Sequence, residues 1–373
     1  MNIGIITFHR AVNYGAVLQA YALCRAIREL GFDCEIIDYR SLFIEEYYDF
    51  KCLLKPKNWK RLISYILYNG NLFPDKDRFT AFLRDNHVLS KTRYSHDSLT
   101  ETNQIYDCFI TGSDQVWNYA AAGFDKSYFL DFVLQEEKKN SYAASFGFET
   151  IPQALEDTYR NLLRSFSHIS VREETGKKIV QSLVDKDVTV DLDPTLLLTA
   201  DMWHEAAAGT EKTELTKKND YVLLYMIGED KNIIRIARRI AKDKKTDVLY
   251  ITDRWRDHIG ITNLRKVSVN AWLELINGAK YVITNSFHGT VFSILFNKQF
   301  AVIQNKKLQN KSSRIQTLLS ALQLQERYAY SEESALAVIG SGIDYDAVNK
   351  RLHEKRAESI ADLKREILRE ELS

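Results

Sequence analysis

The 373-residue chain is long enough for two domains, each with a sizeable core. Its 51 Lys and Arg against 50 Asp and Glu exclude the basic footprint of a nucleic-acid binder, and no stretch approaches the roughly 20 apolar residues needed to span a bilayer. With 45% hydrophobic and 27% charged residues, the composition is that of a soluble globular protein.

Met1 to Phe8 has no basic n-region and too short an apolar run for a signal peptide, so a cytoplasmic location is expected. The run 3–8 reads as a buried strand. Ala16, Leu18, Ala20, Leu23, Ala26, Ile27 and Leu30 then fall near helical spacing, and Gly31 ends that helix. A second strand at 35–39 completes a βαβ opening, the start of a parallel sheet with helices on both faces. Residues 41–100, rich in aromatics and lysine, break the rhythm and read as an insertion. The alternation resumes with strands at 104–111, 140–146, 169–172 and 188–190 and helices at 151–166 and 174–183. The run Asp191-Leu192-Asp193-Pro194 interrupts it, because proline excludes its predecessor from helical geometry.

A second alternating unit follows a polar stretch at 205–219. Strands are predicted at 221–227, 247–251, 280–284 and 300–303, and helices at 231–242, 271–278, 288–296 and 313–322. A last helix, 346–372, carries the apolar stripe Leu352, Ile360, Leu363, Ile367 and Leu372. The expected fold class is α/β: two Rossmann-like doubly wound domains facing across a cleft. Residues 1–195 form the first and 196–338 the second, with 339–373 a C-terminal helix packing back on the first. The cysteines Cys24, Cys34, Cys52 and Cys108 form no Cys-x-x-Cys pair and read as core thiols in a reducing compartment.

Ligands of such sheets bind at the carboxyl ends of strands, and the polar motifs fall there. Asn13-Tyr14-Gly15, with Gln19 one turn on, opens the first helix, whose amides can hold an anion or sugar hydroxyls. The single glycine rules against a dinucleotide fingerprint, and the plain reading is a turn with Asn13 as helix cap. Ser113, Asp114, Gln115 and Asn118 flank Trp117, a mixture of polar groups and an aromatic face that suits a sugar; the bland reading is a capped loop with a packed indole. Ser145 lies in the run Ser141 to Gly147. Arg172 leaves a buried strand and needs an anion, either a ligand or an internal partner such as Glu173 or Glu174. His288 opens a helix among the small residues Ser286, Gly289 and Thr290, where an imidazole can act as general acid or base. Lys306, Lys307, Lys311 and Arg314 follow the next strand. There is no His-Glu-x-x-His, Gly-x-Ser-x-Gly or P-loop, and Asp191 and Asp193 lack a nearby histidine, so no metal site is expected.

The ordered blocks Asn13 to Ala20, Gly112 to Trp117, Ser141 to Gly147, Val171-Arg172-Glu173, Asp193 to Leu197 and Ser286 to Thr290 resemble the polysaccharide pyruvyl transferase family. The resemblance implies a fold like that of GT-B glycosyltransferases. It also implies transfer of pyruvate from phosphoenolpyruvate onto two hydroxyls of one sugar as a cyclic ketal, with no cofactor beyond that donor. It assigns donor contact and catalysis to Arg172 and His288, with Ser286 and Gly289 beside them and one of Lys307, Lys311 or Arg314 as a further cation. Asn13, Tyr14, Gly15, Gln19, Ser113, Asp114, Gln115, Trp117 and Ser145, all in the first domain, would then face the acceptor. The acceptor is expected to be a sugar of a surface polysaccharide or its lipid-linked precursor.

Residues 50–73 carry Lys51, Lys55, Lys57, Lys60 and Arg61 with no acidic residue, and Leu53, Trp59, Ile63 and Ile66 accompany them. Such a segment can lie on an anionic membrane surface, which would place the enzyme at the inner face of the cell membrane. The competing reading is a basic helix packed on its own domain. The main functional rival is a nucleotide-sugar glycosyltransferase of the same architecture, which needs an acidic residue in the second domain for the ribose. A non-catalytic sugar-binding module is the other.

Overall fold

The computed structural model describes residues 1–47, 54, 59, 63, 75–121, 123–207, 220–254, 257–303 and 313–368. The chain divides into two compact units. Unit 1 comprises Met1–Tyr48, Phe79–Leu198 and Leu352–Ser373; unit 2 comprises Asp49–Arg78 and Thr199–Arg351.

Unit 1 is built on β1 (Asn2–Ile6), α1 (Tyr14–Glu29), β2 (Asp33–Tyr39), α2 (Leu42–Tyr47), α3 (Lys76–Asp85, its first residues in unit 2), β3 (Leu89–Tyr94), β4 (Cys108–Thr111), β5 (Lys139–Ala144), α4 (Glu156–Arg164), β6 (His168–Val171), α5 (Glu174–Leu183) and β7 (Val188–Val190). Its seven strands are all parallel in the order β3-β2-β1-β4-β5-β6-β7. The order reverses between β1 and β4, so the loops after these two strands flank the switch point where such sheets open a crevice. Strands β4 and β5 are buried throughout, as expected of a parallel sheet covered on both faces.

The reading of 41–100 as an insertion is corrected in part. Residues 76–94 form α3 and β3, and β3 pairs in parallel with β2 as the sheet's edge strand. Its run Ser90-Lys91-Thr92-Arg93 is polar, with three successive exposed residues, because an edge strand has no neighbour to bury that side. The continuous buried run that marks the central strands is therefore missing. The basic segment 50–73 lies outside the described residues, save for Leu54, Trp59 and Ile63, which are exposed.

Unit 2 is built on α6 (Ala200–Ala207), β8 (Tyr221–Tyr225), α7 (Lys231–Lys244), β9 (Asp247–Ile251), β10 (Thr262–Leu264), α8 (Val269–Gly278), β11 (Tyr281–Thr284), α9 (Phe287–Leu295), β12 (Gln299–Ile303), α10 (Ser313–Ala321), β13 (Tyr328–Ala329), α11 (Glu332–Gly340) and the start of α12 (Tyr345–Leu368). The parallel order β10-β9-β8-β11-β12-β13 repeats the arrangement of unit 1, with the switch between β8 and β11. Ile233, Ile236, Ala237 and Ile240 on one face of α7 bury against Val222 and Leu224 of β8 and Val248 of β9.

The part of α12 from Leu352 on belongs to unit 1. Arg356 donates to the carbonyls of Leu196 and Leu198, Ser359 Oγ accepts from the Leu192 amide at 3.0 Å, and Leu363 and Ile367 are fully buried. The helix thus braces the chain on both sides of Pro194. Cys24, Cys34 and Cys108 are buried thiols.

Candidate functional site

In unit 1 the β1–α1 turn takes its plain structural reading. Asn13 caps α1, its side-chain oxygen accepting from the amides of Gly15 (2.8 Å) and Ala16 (3.3 Å). The first amides of α1 are thereby occupied. Tyr14 is buried with its ring 5.0 Å from that of Phe79. Gln19 is fully buried; its Nε2 donates to Thr7 Oγ1 (2.9 Å) and to the Ala16 carbonyl (2.8 Å), and its Oε1 accepts from the Ser113 amide (2.8 Å). Gln19 therefore ties the two loops at the switch point together.

The β4 loop corrects two sequence expectations. Trp117 is 0% exposed, with its ring 5.8 Å from Phe129, 5.2 Å from Phe146 and 5.5 Å from Phe166. An indole closed in by three phenyl rings has no face for a sugar, so its role is in the core. Burial of the aromatic body drove that choice; the sequence showed the aromatic but not which way it turns. Ser145 is fully buried, and its hydroxyl donates to Glu173 Oε1 at 2.8 Å, so it positions Glu173 rather than facing an acceptor. Asp114 and Gln115 are half-buried at the rim of this loop. Gly112 is required by close approach: with φ of +123°, an added Cβ would lie 2.2 Å from the Tyr142 carbonyl oxygen.

Arg172 sits just past β6 with its side chain 2% exposed. Its Nη1 donates to Asp193 Oδ2 at 2.6 Å and to Ser113 Oγ at 3.3 Å, and Glu173 Oε2 (3.9 Å) and Asp114 Oδ1 (4.0 Å) stand round the guanidinium. Burial alone would lower its pKa, but Asp193, Glu173 and Asp114 outweigh that and raise it. The nearest internal partner is thus Asp193, twenty-one residues on, and the neighbouring Glu173 is a second, longer ion pair. Asp193 precedes Pro194, and its Oδ1 accepts from the amide and hydroxyl of Thr195 at 3.0 and 2.6 Å. The sequence signal was the Asp-Pro pair itself, but nothing in spacing links it to Arg172.

In unit 2 the β11–α9 turn lies at the switch point. Ser286 caps α9, its Oγ accepting from the Gly289 amide at 3.3 Å, while its own amide donates to Thr284 Oγ1 at 3.0 Å. His288 therefore occupies the first turn of a helix, 8% exposed, with its ring edge-on to Phe287 at 5.1 Å. Gly289 is explained by packing: an added Cβ would lie 2.4 Å from Thr284 Oγ1 and 3.1 Å from Tyr225. Burial raises the Tyr225 phenol well above its ordinary value against an opposing hydrogen bond with Ser286.

Two residues that the sequence reading left aside fix this turn. Asn285 accepts from the Ile227 amide at 2.7 Å and donates to the Ile227 carbonyl at 3.2 Å, pinning the β8 loop to the β11 loop. Phe287 presents its ring to Arg314, whose guanidinium carbon lies 5.8 Å from the ring centroid. The structure thus brings His288 and Arg314 to the same phenyl ring. Lys306, Lys307 and Lys311 lie outside the described residues. Among the described residues no group of three or more His, Cys, Asp and Glu could hold a metal ion, and no helix is long and apolar enough to cross a membrane.

Three solved structures share this fold over nearly their whole length. One is described as a UDP-N-acetylglucosamine 2-epimerase from Listeria monocytogenes, with TM-score 0.59, 9% identity, and 99% of this chain and 97% of that one covered. The second is a UDP-GlcNAc 2-epimerase from Neisseria meningitidis bound to UDP-GlcNAc (0.54, 9%, 99% and 100%). The third, from Methanocaldococcus jannaschii, is in complex with UDP-GlcNAc and UDP (0.51, 12%, 99% and 99%). At such identities the likeness concerns the fold alone, which is GT-B-like. No curated protein matches the chain in sequence. The sequence model of one family, polysaccharide pyruvyl transferase, matches residues 13–307, a span that runs from the α1 cap through Arg172 and the His288 turn. The chain is therefore an enzyme belonging to the polysaccharide pyruvyl transferase family.

Proposed function

We propose that this enzyme transfers pyruvate from phosphoenolpyruvate to a sugar of a surface polysaccharide or its lipid-linked precursor, closing a cyclic ketal on two hydroxyls of that sugar. The observation that carries the reading is the family match, which spans both Arg172 and His288. Phosphoenolpyruvate presents a carboxylate and a phosphate, and planar guanidiniums suit both. The donor's methylene carbon takes up a proton while the first sugar hydroxyl adds to the neighbouring carbon and gives up its own. The carbon–phosphate oxygen bond then breaks. The second hydroxyl adds to the same carbon, and its proton ends on the departing phosphate or on solvent. His288 is the proposed proton-transfer group. Arg172 in unit 1, and in unit 2 Arg314, one of Lys307 or Lys311 and the partial positive charge of the α9 start, are the proposed anion-holding groups.

The test is incubation with phosphoenolpyruvate and a panel of lipid-linked and nucleotide-linked sugars, read by phosphate release and by a product heavier by one pyruvyl ketal. That pair of signals is expected. Transfer of a glycosyl group with nucleotide release, and none of phosphate from phosphoenolpyruvate, would overturn the reading. Peripheral attachment through 50–73 belongs to the same proposal. Flotation with anionic liposomes is expected to carry the protein upward, and an equal distribution with and without liposomes removes that part.

A further inference from the structure

Ketal formation moves protons at two kinds of atom. One proton goes onto the donor's methylene carbon, and one comes off each of the two sugar hydroxyls. His288 accounts for one kind of transfer. A group that takes the hydroxyl protons is needed where the acceptor is held, and the acids round Arg172 in unit 1 contain one suited to it. Three carboxylates face that single guanidinium, so two of them are not needed to balance it. They differ in what else holds them. Asp193 Oδ2 is the 2.6 Å partner of Arg172, its Oδ1 accepts from the amide and hydroxyl of Thr195, and its side chain is 0% exposed. Glu173 Oε1 accepts from the Ser145 hydroxyl at 2.8 Å and the Phe146 amide at 3.3 Å, and its side chain is 3% exposed. Asp114 alone of the three opens to solvent, with its side chain 16% exposed.

Among the described residues only Oδ1 of Asp114 is hydrogen-bonded, to the Gln115 amide at 2.8 Å, which leaves Oδ2 for a ligand. The backbone holds this carboxylate in place at a cost. Asp114 has a φ of +44°, in the left-handed region that disfavours side chains and that Asn and Asp tolerate best after glycine. The Ser145 amide donates to the Asp114 carbonyl at 2.9 Å, and the Trp117 amide donates to the Ser145 carbonyl at 3.2 Å. Buried Ser145 and Trp117 thus act through Asp114, bracing the residue between them and the end of β4. A strained residue at the carboxyl end of a strand beside the switch point is placed where such sheets do their chemistry.

We propose that Asp114 is the base that takes the acceptor's protons, an assignment that rests on the pyruvyl-transfer reading. The first hydroxyl donates to Asp114 Oδ2. Its oxygen bonds to the carbon that bears the phosphate, its proton passes to Oδ2, and the electron pair of the double bond takes a proton from His288 at the methylene carbon. The carbon–phosphate oxygen bond breaks with its electron pair leaving on phosphate, and Asp114 gives its proton to solvent. It then takes the proton of the second hydroxyl as that oxygen closes the ketal. Of the two protons released, one replaces the proton spent by His288 and the other ends on phosphate. An aspartate takes the proton of the attacking hydroxyl in the same way in protein kinases.

Asparagine tolerates the left-handed backbone and keeps an oxygen for the Gln115 amide, so Asp114→Asn removes the base alone. It is expected to melt like the wild type, to keep KM for phosphoenolpyruvate within threefold and to lose kcat a hundredfold or more. Asp114→Gly fits the same backbone and opens space for a small acid. Added formate is expected to raise its kcat tenfold or more and to leave the wild type unchanged, a response that a structural aspartate would not give. A kcat for Asp114→Asn within threefold of wild type, or no response of Asp114→Gly to formate, overturns the assignment. If Asp114→Asn melts early, the formate response of Asp114→Gly decides. Ketal formation by the wild type with an unimpaired Asp114→Asn overturns this role alone. No ketal from the wild type with any acceptor overturns the pyruvyl-transfer reading, and the role of Asp114 with it.

Discussion

Asp193 Oδ2 lies 2.6 Å from Arg172 Nη1, and both side chains are closed off from solvent. The pair joins the end of β6 to the Asp-Pro turn, which α12 braces through Arg356 and Ser359. Removing one partner of a buried pair leaves an uncompensated charge, at a cost of about 3–5 kcal/mol. Asp193→Asn is therefore expected to lower the Tm of unit 1 markedly by taking from Arg172 its nearest counter-charge, with Glu173 and Asp114 left at 3.9 and 4.0 Å. Arg172→Lys keeps a charge but loses the planar fork, and it is expected to raise KM for phosphoenolpyruvate at least tenfold in a folded protein. A Tm loss in Arg172→Lys with unchanged KM would assign Arg172 to structure alone.

His288→Asn keeps the polarity and approximate size of the ring but cannot shuttle a proton. If His288 transfers the proton, kcat falls by about 10²–10⁴-fold, the usual contribution of a positioned general acid or base. KM for phosphoenolpyruvate changes much less, and the melting curve stays near that of the wild type. Steady-state kinetics with circular dichroism check this; near-normal kcat removes His288 from the reaction.

The sequence carried the doubly wound alternation well because central parallel strands are uniformly apolar. The runs Val188 to Val190 and Asp247 to Ile251, and the helix Glu174 to Leu183, form where the periodicity put them. It failed at β3, where an edge position selects polar residues, and at β13, which has only two residues. In the site, the motif at Ser286 to Thr290 was legible because a strand end, a cap and a helix start leave residue-type signatures. The partner of Arg172 was not, because a pairing between the ends of adjacent strands β6 and β7 depends on register, which no local pattern encodes. Trp117 shows the converse failure: an aromatic among polar residues looks like a sugar platform until three phenylalanines from distant segments close over it.

Arg314 shares the ring of Phe287 with His288. The three alanine variants Lys307→Ala, Lys311→Ala and Arg314→Ala sort the basic candidates. Arg314→Ala is expected to raise KM for phosphoenolpyruvate severalfold or more, since its guanidinium is held beside the His288 turn. A KM within twofold of wild type moves the donor contact to the lysines, and the other two variants then show which one.

Gly289→Ala sets two effects against each other. Alanine gains about 1 kcal/mol over glycine in a helix. Its Cβ, however, would stand 2.4 Å from Thr284 Oγ1, on a β-branched side chain that also anchors the Ser286 amide. Overpacking of this kind costs about 1–3 kcal/mol. The clash is expected to win, with a Tm a few degrees below wild type in thermal melts. A Tm equal to or above wild type would show that the α9 start can shift away from β11.

Glu366 on α12 is buried beside Asp191, and among the described residues its Oε2 has no hydrogen-bond partner. Burial, then the Asp191 charge, push its carboxyl well above the ordinary glutamate range, and Arg365 opposes only in part. Burial also raises Asp191, against hydrogen bonds from Ser170, Thr189 and Ser359. A folded pKa above the unfolded one means that the folded state binds the proton more tightly. The associated stability is fully present below the unfolded value, near 4.5, and is lost as pH climbs through the folded value. Glutamine mimics the protonated acid and does not titrate. Glu366→Gln is therefore expected to melt close to wild type at pH 5 and above it at pH 8, the gap widening with pH as the wild type loses stability. Equal differences at both pH values would show that Glu366 meets a compensating charge when it ionises, and that α12 is not held by a neutral carboxyl.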